Sequence, residues 1–319
     1  MSTTRSLRHF GWVKDPAGYT AYAATLPSAE DFWDHLRASD DGSDRYSYRA
    51  LRLCLEDAKL DRWLVLDGNY ARIRSYDQGS IGSCVGNADA KRWAYMAALD
   101  IYLRLDPEEF VGMGCPEIAY GLSREMAGML GRGDGSTGYG MAQANTEFGS
   151  AAQAVYGKYD LRDYSVQTCR QFGLRGVPKE IKAVAGQHKY SQYLRVDTAE
   201  KAWLCAGAGL PVNQCSSVGW DDPRGRDEDG ALRPRGSWGH SMCLGAARRT
   251  TKKGRKLILI DQSWGPDWTS GPYWLDQPEG SFYADLDAVG EAVSEGDSFV
   301  DLGFCGYNRP ALPRSFAEA

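Results

Sequence analysis

Histidine is scarce in this 319-residue sequence, with only four, and charge of either sign is nearly balanced at a net −5. So mild an acidity, with no strongly basic stripe, excludes nucleic acid as the main partner. The one basic cluster, Arg248 to Lys256, lies between strand-like runs and reads as a solvated hairpin turn. Long apolar runs are missing as well. The stretch AWLCAGAGLPV, Ala202 to Val212, is too short to cross a bilayer and contains Pro211, so no membrane association is expected. The opening MSTTRSLRHFGWVKD has neither a continuous apolar core nor a small-residue cleavage site. No secretory signal is expected from it, and the expected location is intracellular or cytoplasmic. The eight cysteines, at 54, 84, 115, 169, 205, 215, 243 and 305, form no C-x-x-C pair and no Cys/His ligand spacing. Free thiols are therefore expected, with no metal and no cofactor.

What is present is an ordinary globular balance, 43% apolar and 25% charged, in a chain long enough for one large domain or two small ones. The first half reads as helical. SAEDFWDHLR, Ser28 to Arg37, has the form of a short capped helix, and Ser47 to about Leu60 places Leu51, Cys54, Leu55 and Ala58 on one face. Ala88 to Leu105 supports several turns, Asp106-Pro107 has the form of a cap with a first-turn proline, and CPEIAYGLSREMAGML repeats the helical habit. DTAE, from Asp197, opens another helix that should end in the AGAG before Pro211. Beyond it, PVNQCSSV, HSMCLGAA, KLILIDQSW and GPYWLD are short runs separated by turns, the pattern of an antiparallel sheet.

Chemistry concentrates in YDQGSIGSCVGN, Tyr76 to Asn87, where a glycine turn delivers Cys84 to a helix start. Unpaired backbone N–H groups and the positive end of the helix dipole favour an ionised thiol there. A base must come from four histidines. His9, His35 and His188 read as surface or packing residues, whereas His240 opens the apolar run Ser241 to Ala247 after a long polar loop. The next strand ends in the amide Gln262, followed by Ser263-Trp264-Gly265.

QGSIGSC (Gln78 to Cys84), GHSMCLGA (Gly239 to Ala246) and DQSWGPDWTSGPYWL (Asp261 to Leu275) together resemble the papain-like cysteine peptidases (C1-type), which carry such motifs in the same order. The resemblance covers about 72 to 275. It implies an α+β, two-lobed fold with a site in the cleft between a helical lobe, about 71–160, and a β-rich lobe, about 161–275. Residues 1–70 form a mainly helical N-terminal extension in this reading, and 276–319 a C-terminal one. The resemblance also implies Cys84 as nucleophile, His240 as base, Gln78 as oxyanion-hole donor and Gln262 as the amide that orients His240. Trp264 and Gly265 support the site, Gly138 and Tyr139 belong to the cleft loop, and Gly239 and Ser241 flank the base on the substrate side. The partner implied is a polypeptide substrate or a protein.

Four departures stand out. Gln262 replaces asparagine, Ile81 replaces a half-cystine, Val85-Gly86-Asn87 replaces an aromatic-rich continuation, and no long amphipathic inhibitory segment precedes the motifs, so no zymogen control is expected. Two alternatives remain beside the peptidase. One is a catalytically impaired binding or assembly module of this fold, for instance in a virion; the other is an NlpC/P60-like thiol amide hydrolase.

Overall fold

Aspartate 15 and Pro16 start the first described helix: the Asp15 carboxylate accepts from the Gly18 N–H at 3.0 Å, and proline at the first helical position lacks only a donor that would be orphaned anyway. The computed structural model describes residues 10–44, 47–67, 70–102, 110–269, 273–274 and 277–303. Helices α1 (Pro16–Ala23), α2 (Glu30–Ser39) and α3 (Ser47–Asp57) precede a hairpin of β1 (Leu64–Asp67) and β2 (Tyr70–Ile73). Leu51, Cys54 and Leu55 are buried on α3, as the spacing predicts. The expected Ser28 cap is absent: α2 starts after Ala29, with no side-chain cap, and its first turn instead carries Glu30 and Asp31.

Helix α4 (Cys84–Tyr102) holds the centre, buried along nearly its whole length. Its charged residues are pinned inside by partners. Arg92 donates to Asp89 at 2.6 Å and to the Tyr193 hydroxyl at 2.7 Å, and it pairs with Asp301. Lys91 pairs with Asp261 at 3.2 Å, and the Tyr95 hydroxyl donates to that carboxylate at 3.0 Å. Stripping one partner from a buried pair costs about 3–5 kcal/mol, so these ties fix the helix start against the sheet. Gly86 explains one departure in the motif. A β-carbon there would stand 2.6 Å from the Tyr120 backbone nitrogen, so glycine admits α5 (Pro116–Met126) against the first turn of α4.

Helix α6 (Gly138–Glu147) follows the glycine-rich loop, and β3 (Val155–Tyr156) and β4 (Tyr159–Asp160) make a short hairpin. Helix α7 (Val166–Arg175) packs on α5, so helical packing continues past residue 161. Helix α8 (Lys179–Ala185), strand β5 (Tyr193–Arg195) and helix α9 (Ala199–Gly207) come next, α9 being capped by the Thr198 hydroxyl. The main sheet adds β6 (Val212–Trp220), β7 (Ala231–Leu232), β8 (Pro234–Thr250), β9 (Lys256–Asp261), β10 (Phe282–Asp285) and β11 (Phe299–Asp301), with α10 (Leu286–Ser294) between the last two. Its order is β5-β11-β6-β8-β9-β10-β7, antiparallel except for the β10–β7 pair. The basic cluster spans the β8–β9 hairpin turn, as expected, but it is not solvated throughout: Arg248 is buried and pairs with Asp40 at 2.5 Å. Residues beyond 275 supply β10 and β11 to this sheet, β11 lying between β5 and β6. The fold class is thus mixed helix and sheet. Asp106-Pro107, His9, Cys305 and most of GPYWLD fall outside the described residues. Among the described residues the seven cysteines are free and buried, and no helix is long and apolar enough to cross a membrane.

Candidate active site

The loop before α4 is zipped to the loop after β9. Gln78 N donates to the Ser263 carbonyl at 2.9 Å and Gly265 N to the Tyr76 carbonyl at 2.9 Å, joining the first and third motifs. Gly79, at φ +60°, makes the turn, and Asp77 accepts from its N–H at 2.9 Å. Cys84 is the first residue of α4 and fully buried. Gln78 is equally buried; its Nε2 donates to the Ile81 carbonyl at 2.9 Å and its Oε1 accepts from the Ser263 hydroxyl at 2.7 Å.

His240 lies on β8 opposite Ser216 of β6. The ring of Trp264 stacks on it, 4.2 Å between centroids and 19° between planes. Among the described residues, neither imidazole nitrogen has a hydrogen-bond partner. Gln262 turns elsewhere: its Oε1 accepts from the Trp264 N–H two residues on, and its Nε2 donates to the Gly280 carbonyl at 3.0 Å. The amide thus braces the Trp264 turn, and no hydrogen bond joins it to His240. Gln262→Ala is therefore expected to cost stability, about 1–3 kcal/mol for the buried groups left unpaired, measurable as a lowered urea midpoint. A wild-type midpoint would show that this bracing has no weight.

Cys84 and His240 are covered by a strap that no sequence motif announces. Residues 10–13 run extended between the Ser136 and Gly239 backbones: Gly11 N and Trp12 N each approach the Gly239 carbonyl at 3.2 Å, Ser136 N donates to the Gly11 carbonyl at 2.7 Å, and Val13 N donates to the Ser136 carbonyl at 2.8 Å. Phe10 meets the rings of His240, Trp238 and Trp264 edge-on, at 6.3, 5.4 and 5.8 Å. The Gly11 N–H faces the Cys84 sulfur, as do those of Ser241 and Val85. One dipeptide of the strap thus touches both Cys84 and His240. Gly11 is required there, because a β-carbon would stand 2.0 Å from the Gly82 carbonyl oxygen. What lies over Cys84 and His240 among the described residues is this extended strap, not an amphipathic helix.

Burial of both groups reverses the expected electrostatics. Burial pushes the Cys84 thiol up to about 12, outweighing the backbone N–H groups that pull it down, and lowers His240 to about 3. Under the strap both groups are neutral near pH 7. The helix-start argument is sound for an exposed thiol; burial removes the water on which it depends.

Cleft-loop residues take a definite place. Gly138 N and Tyr139 N each donate to Asp297 at 2.7 Å, and the Tyr139 hydroxyl donates to Asp15 at 2.7 Å. Ser241 Oγ donates to Asn213 Oδ1 at 2.6 Å and accepts from the Cys215 thiol at 3.2 Å. Sequence reasoning missed Phe10, Gly11, Trp12 and Asp297; the FGW cluster just before the Asp15-Pro16 cap was the available signal.

No family model matches this sequence, and no curated protein matches it. Among solved structures the chain is similar to xylellain, a cysteine protease from Xylella fastidiosa, at 15% identity and a TM-score of 0.53, over 94% of this chain and 98% of that one. The fold is papain-like. Digestive procathepsin L 3 of Tenebrio molitor larval midgut also aligns, at 16% identity and a TM-score of 0.46, over 86% of this chain and 79% of that one. At such identities likeness speaks for the fold alone. Within this papain-like fold, the α4 start and β8 bring Cys84 and the segment carrying His240 together, since the N–H of Ser241 faces the Cys84 sulfur.

Proposed function

We propose that the chain is a papain-like cysteine peptidase, with a helical and a β-rich lobe and a cleft held closed by its own residues 10–13. One observation carries this reading: an extended stretch of polypeptide already lies over Cys84, its backbone hydrogen-bonded to Ser136 on one side and Gly239 on the other. A cleft that seats a polypeptide in this way can seat a substrate. The strap itself is no substrate. It turns the Gly11 N–H toward the sulfur and the Gly11 carbonyl away toward Ser136, so that carbonyl is not offered for attack.

With the strap displaced, water reaches Cys84 and His240, and the proton passes from thiol to imidazole. The thiolate attacks the carbonyl carbon of the scissile amide. Negative charge collects on its oxygen, where the Cys84 N–H and the Gln78 side-chain amide are the candidate donors. His240 gives its proton to the leaving amine, and water then releases the acyl group from sulfur, with His240 as base. Trp264 holds the imidazole plane by stacking, a role for which asparagine or glutamine at 262 is not required. The second reading, a binding or assembly module of this fold, is favoured by the lack of a hydrogen bond between Gln262 and His240.

An epoxide thiol electrophile applied to the full-length Gly11→Ala protein, followed by peptide mapping, tests the proposal. Modification confined to Cys84, and lost in His240→Ala, is the expected result; modification first at Cys54, Cys169 or Cys243 would remove Cys84 from the nucleophile's place.

A further inference from the structure

A cavity of about 410 Å³ opens where α1, the α1–α2 loop, β5 and α9 meet, and it shares no lining residue with the Cys84 and His240 site. Its size falls within the roughly 300–1,000 Å³ of small-ligand sites. The apolar lining includes Tyr19, Leu26, Trp33 and Leu194, the last two buried. Its charges are divided. Arg195 of β5 and Lys201 of α9 share a single carboxylate, Asp197, which Lys201 meets at 2.8 Å. Arg195 also donates to the Tyr19 hydroxyl at 3.2 Å. Glu30 of α2 lines the cavity too and forms no ion pair among the described residues. Two cations held by one carboxylate leave a surplus positive charge, and Glu30 supplies an unmatched negative one. A simple anion would leave Glu30 unmatched, and a simple amine would leave the cations so.

We propose that this cavity is a second binding site, for a short apolar peptide in its zwitterionic form, and that its occupancy holds the strap closed. The ligand's carboxylate meets Arg195 and Lys201, its ammonium meets Glu30, and its side chains lie on Trp33 and Leu194. A guanidinium fork fits a carboxylate, and each charge gains the partner it lacks. The tie to the strap runs through α1. Two residues after Val13, Asp15 caps α1 and accepts from the Tyr139 hydroxyl at 2.7 Å. Only Tyr22 of α1 is buried, so a ligand against Tyr19 adds contact to a thinly packed helix and, through it, to the strap. A ligand that prefers this arrangement shifts the balance toward it. Peptide hydrolysis releases such molecules, so on the peptidase reading the site senses product; the binding itself does not rest on that reading.

Calorimetric titration of the full-length protein with L-leucyl-L-phenylalanine tests the site. One-to-one binding is expected, weakened about fivefold by N-acetylation of the dipeptide and about fivefold by amidation of its carboxyl, the weight of one partly exposed charge contact. Glu30→Gln should make binding indifferent to the acetyl group, and Arg195→Gln should shrink the effect of the amide. Ala23→Trp, which fills the cavity from α1, should abolish binding. Saturating dipeptide should also slow iodoacetamide labelling of Cys84 about threefold, the linkage expected of a ligand that favours the closed form. That protection should vanish in Ala23→Trp, whereas a dipeptide seated over Cys84 itself would still protect the variant. No binding, binding that survives Ala23→Trp, or equal binding of the free, acetylated and amidated dipeptides overturns the site. Unchanged labelling at saturation overturns its tie to the strap. Absence of any hydrolysis would strike the peptidase reading and leave both comparisons standing.

Discussion

Full-length Gly11→Ala should label at Cys84 with iodoacetamide about a hundredfold faster than wild type at pH 7.5, the factor corresponding to about 3 kcal/mol of steric cost in a closely packed site. The new methyl would stand 2.0 Å from the Gly82 carbonyl oxygen, and both partners are backbone, so neither can rotate away. Gly82 is confined from its own side, with its β-carbon position 2.7 Å from the Phe10 carbonyl oxygen. Relief comes from lifting the strap. The other described thiols are buried and should stay silent, which makes the readout selective. Closure of the wild-type strap has a pH window with a definite sign. His240 is lowered from its ordinary 6.5 to about 3, so the closed form refuses a proton that the open form accepts, and closure weakens as pH falls below 6.5. Asp297, raised from 3.8 to about 6, binds its proton more readily when closed and offsets part of this loss between those values. Cys84 is raised from 9.0 to about 12, so closure weakens again as pH rises past the point at which the open Cys84–His240 pair gives up its shared proton. Protection of the Gly11 and Trp12 amides, exchange corrected for its intrinsic rise with pH, should therefore be greatest near neutral pH and fall on both sides. A Gly11→Ala protein that labels at the wild-type rate would show that the strap does not guard the thiol.

Replacing His240 by alanine in the opened protein should lower peptide hydrolysis by about 10²- to 10⁴-fold, the range expected when a positioned acid and base is lost. The imidazole is the only ring on β8 near the thiol able to take its proton, and Trp264 stacked at 4.2 Å fixes its plane. A structural histidine would give a different pattern, with a lowered melting temperature and hydrolysis reduced only in proportion to the unfolded fraction. Thiol titration separates the two. In the opened protein the pH midpoint of Cys84 alkylation should lie well below that of an ordinary cysteine, and His240→Ala should move it up toward about 8.5. An unmoved midpoint would mean that the imidazole and the thiol do not share a proton.

Local features of the site were legible in the sequence because short-range chemistry dictates them. Glycine at 79 makes the turn, Cys84 opens α4, and the β8–β9 hairpin carries His240 and the Ser263-Trp264-Gly265 run to the same end of the sheet. Long-range features were not. The strap is four extended residues with no period to detect, and its docking depends on Ser136 and Gly239, more than a hundred positions away. Asp297 could not be paired with Trp12 across 285 positions from spacing alone. Gln262 looked like an orienting amide because it follows β9 where such a group would stand. Its direction was decided by the Gly280 carbonyl, 18 residues on, and by the N–H of Trp264. The helix-start rule for thiol ionisation failed under the strap for a stated reason: burial outweighs backbone dipoles once water is gone.

Hydrolysis of an unstructured protein such as reduced, alkylated casein by full-length Gly11→Ala, set beside Gly11→Ala with Cys84→Ala, tests the central claim most directly. The expected result is peptide release by the first protein and none above background by the second, with wild type slower than the first. Equal release with and without Cys84, or no release from an opened protein whose Cys84 labels readily, would contradict a peptidase built on this thiol.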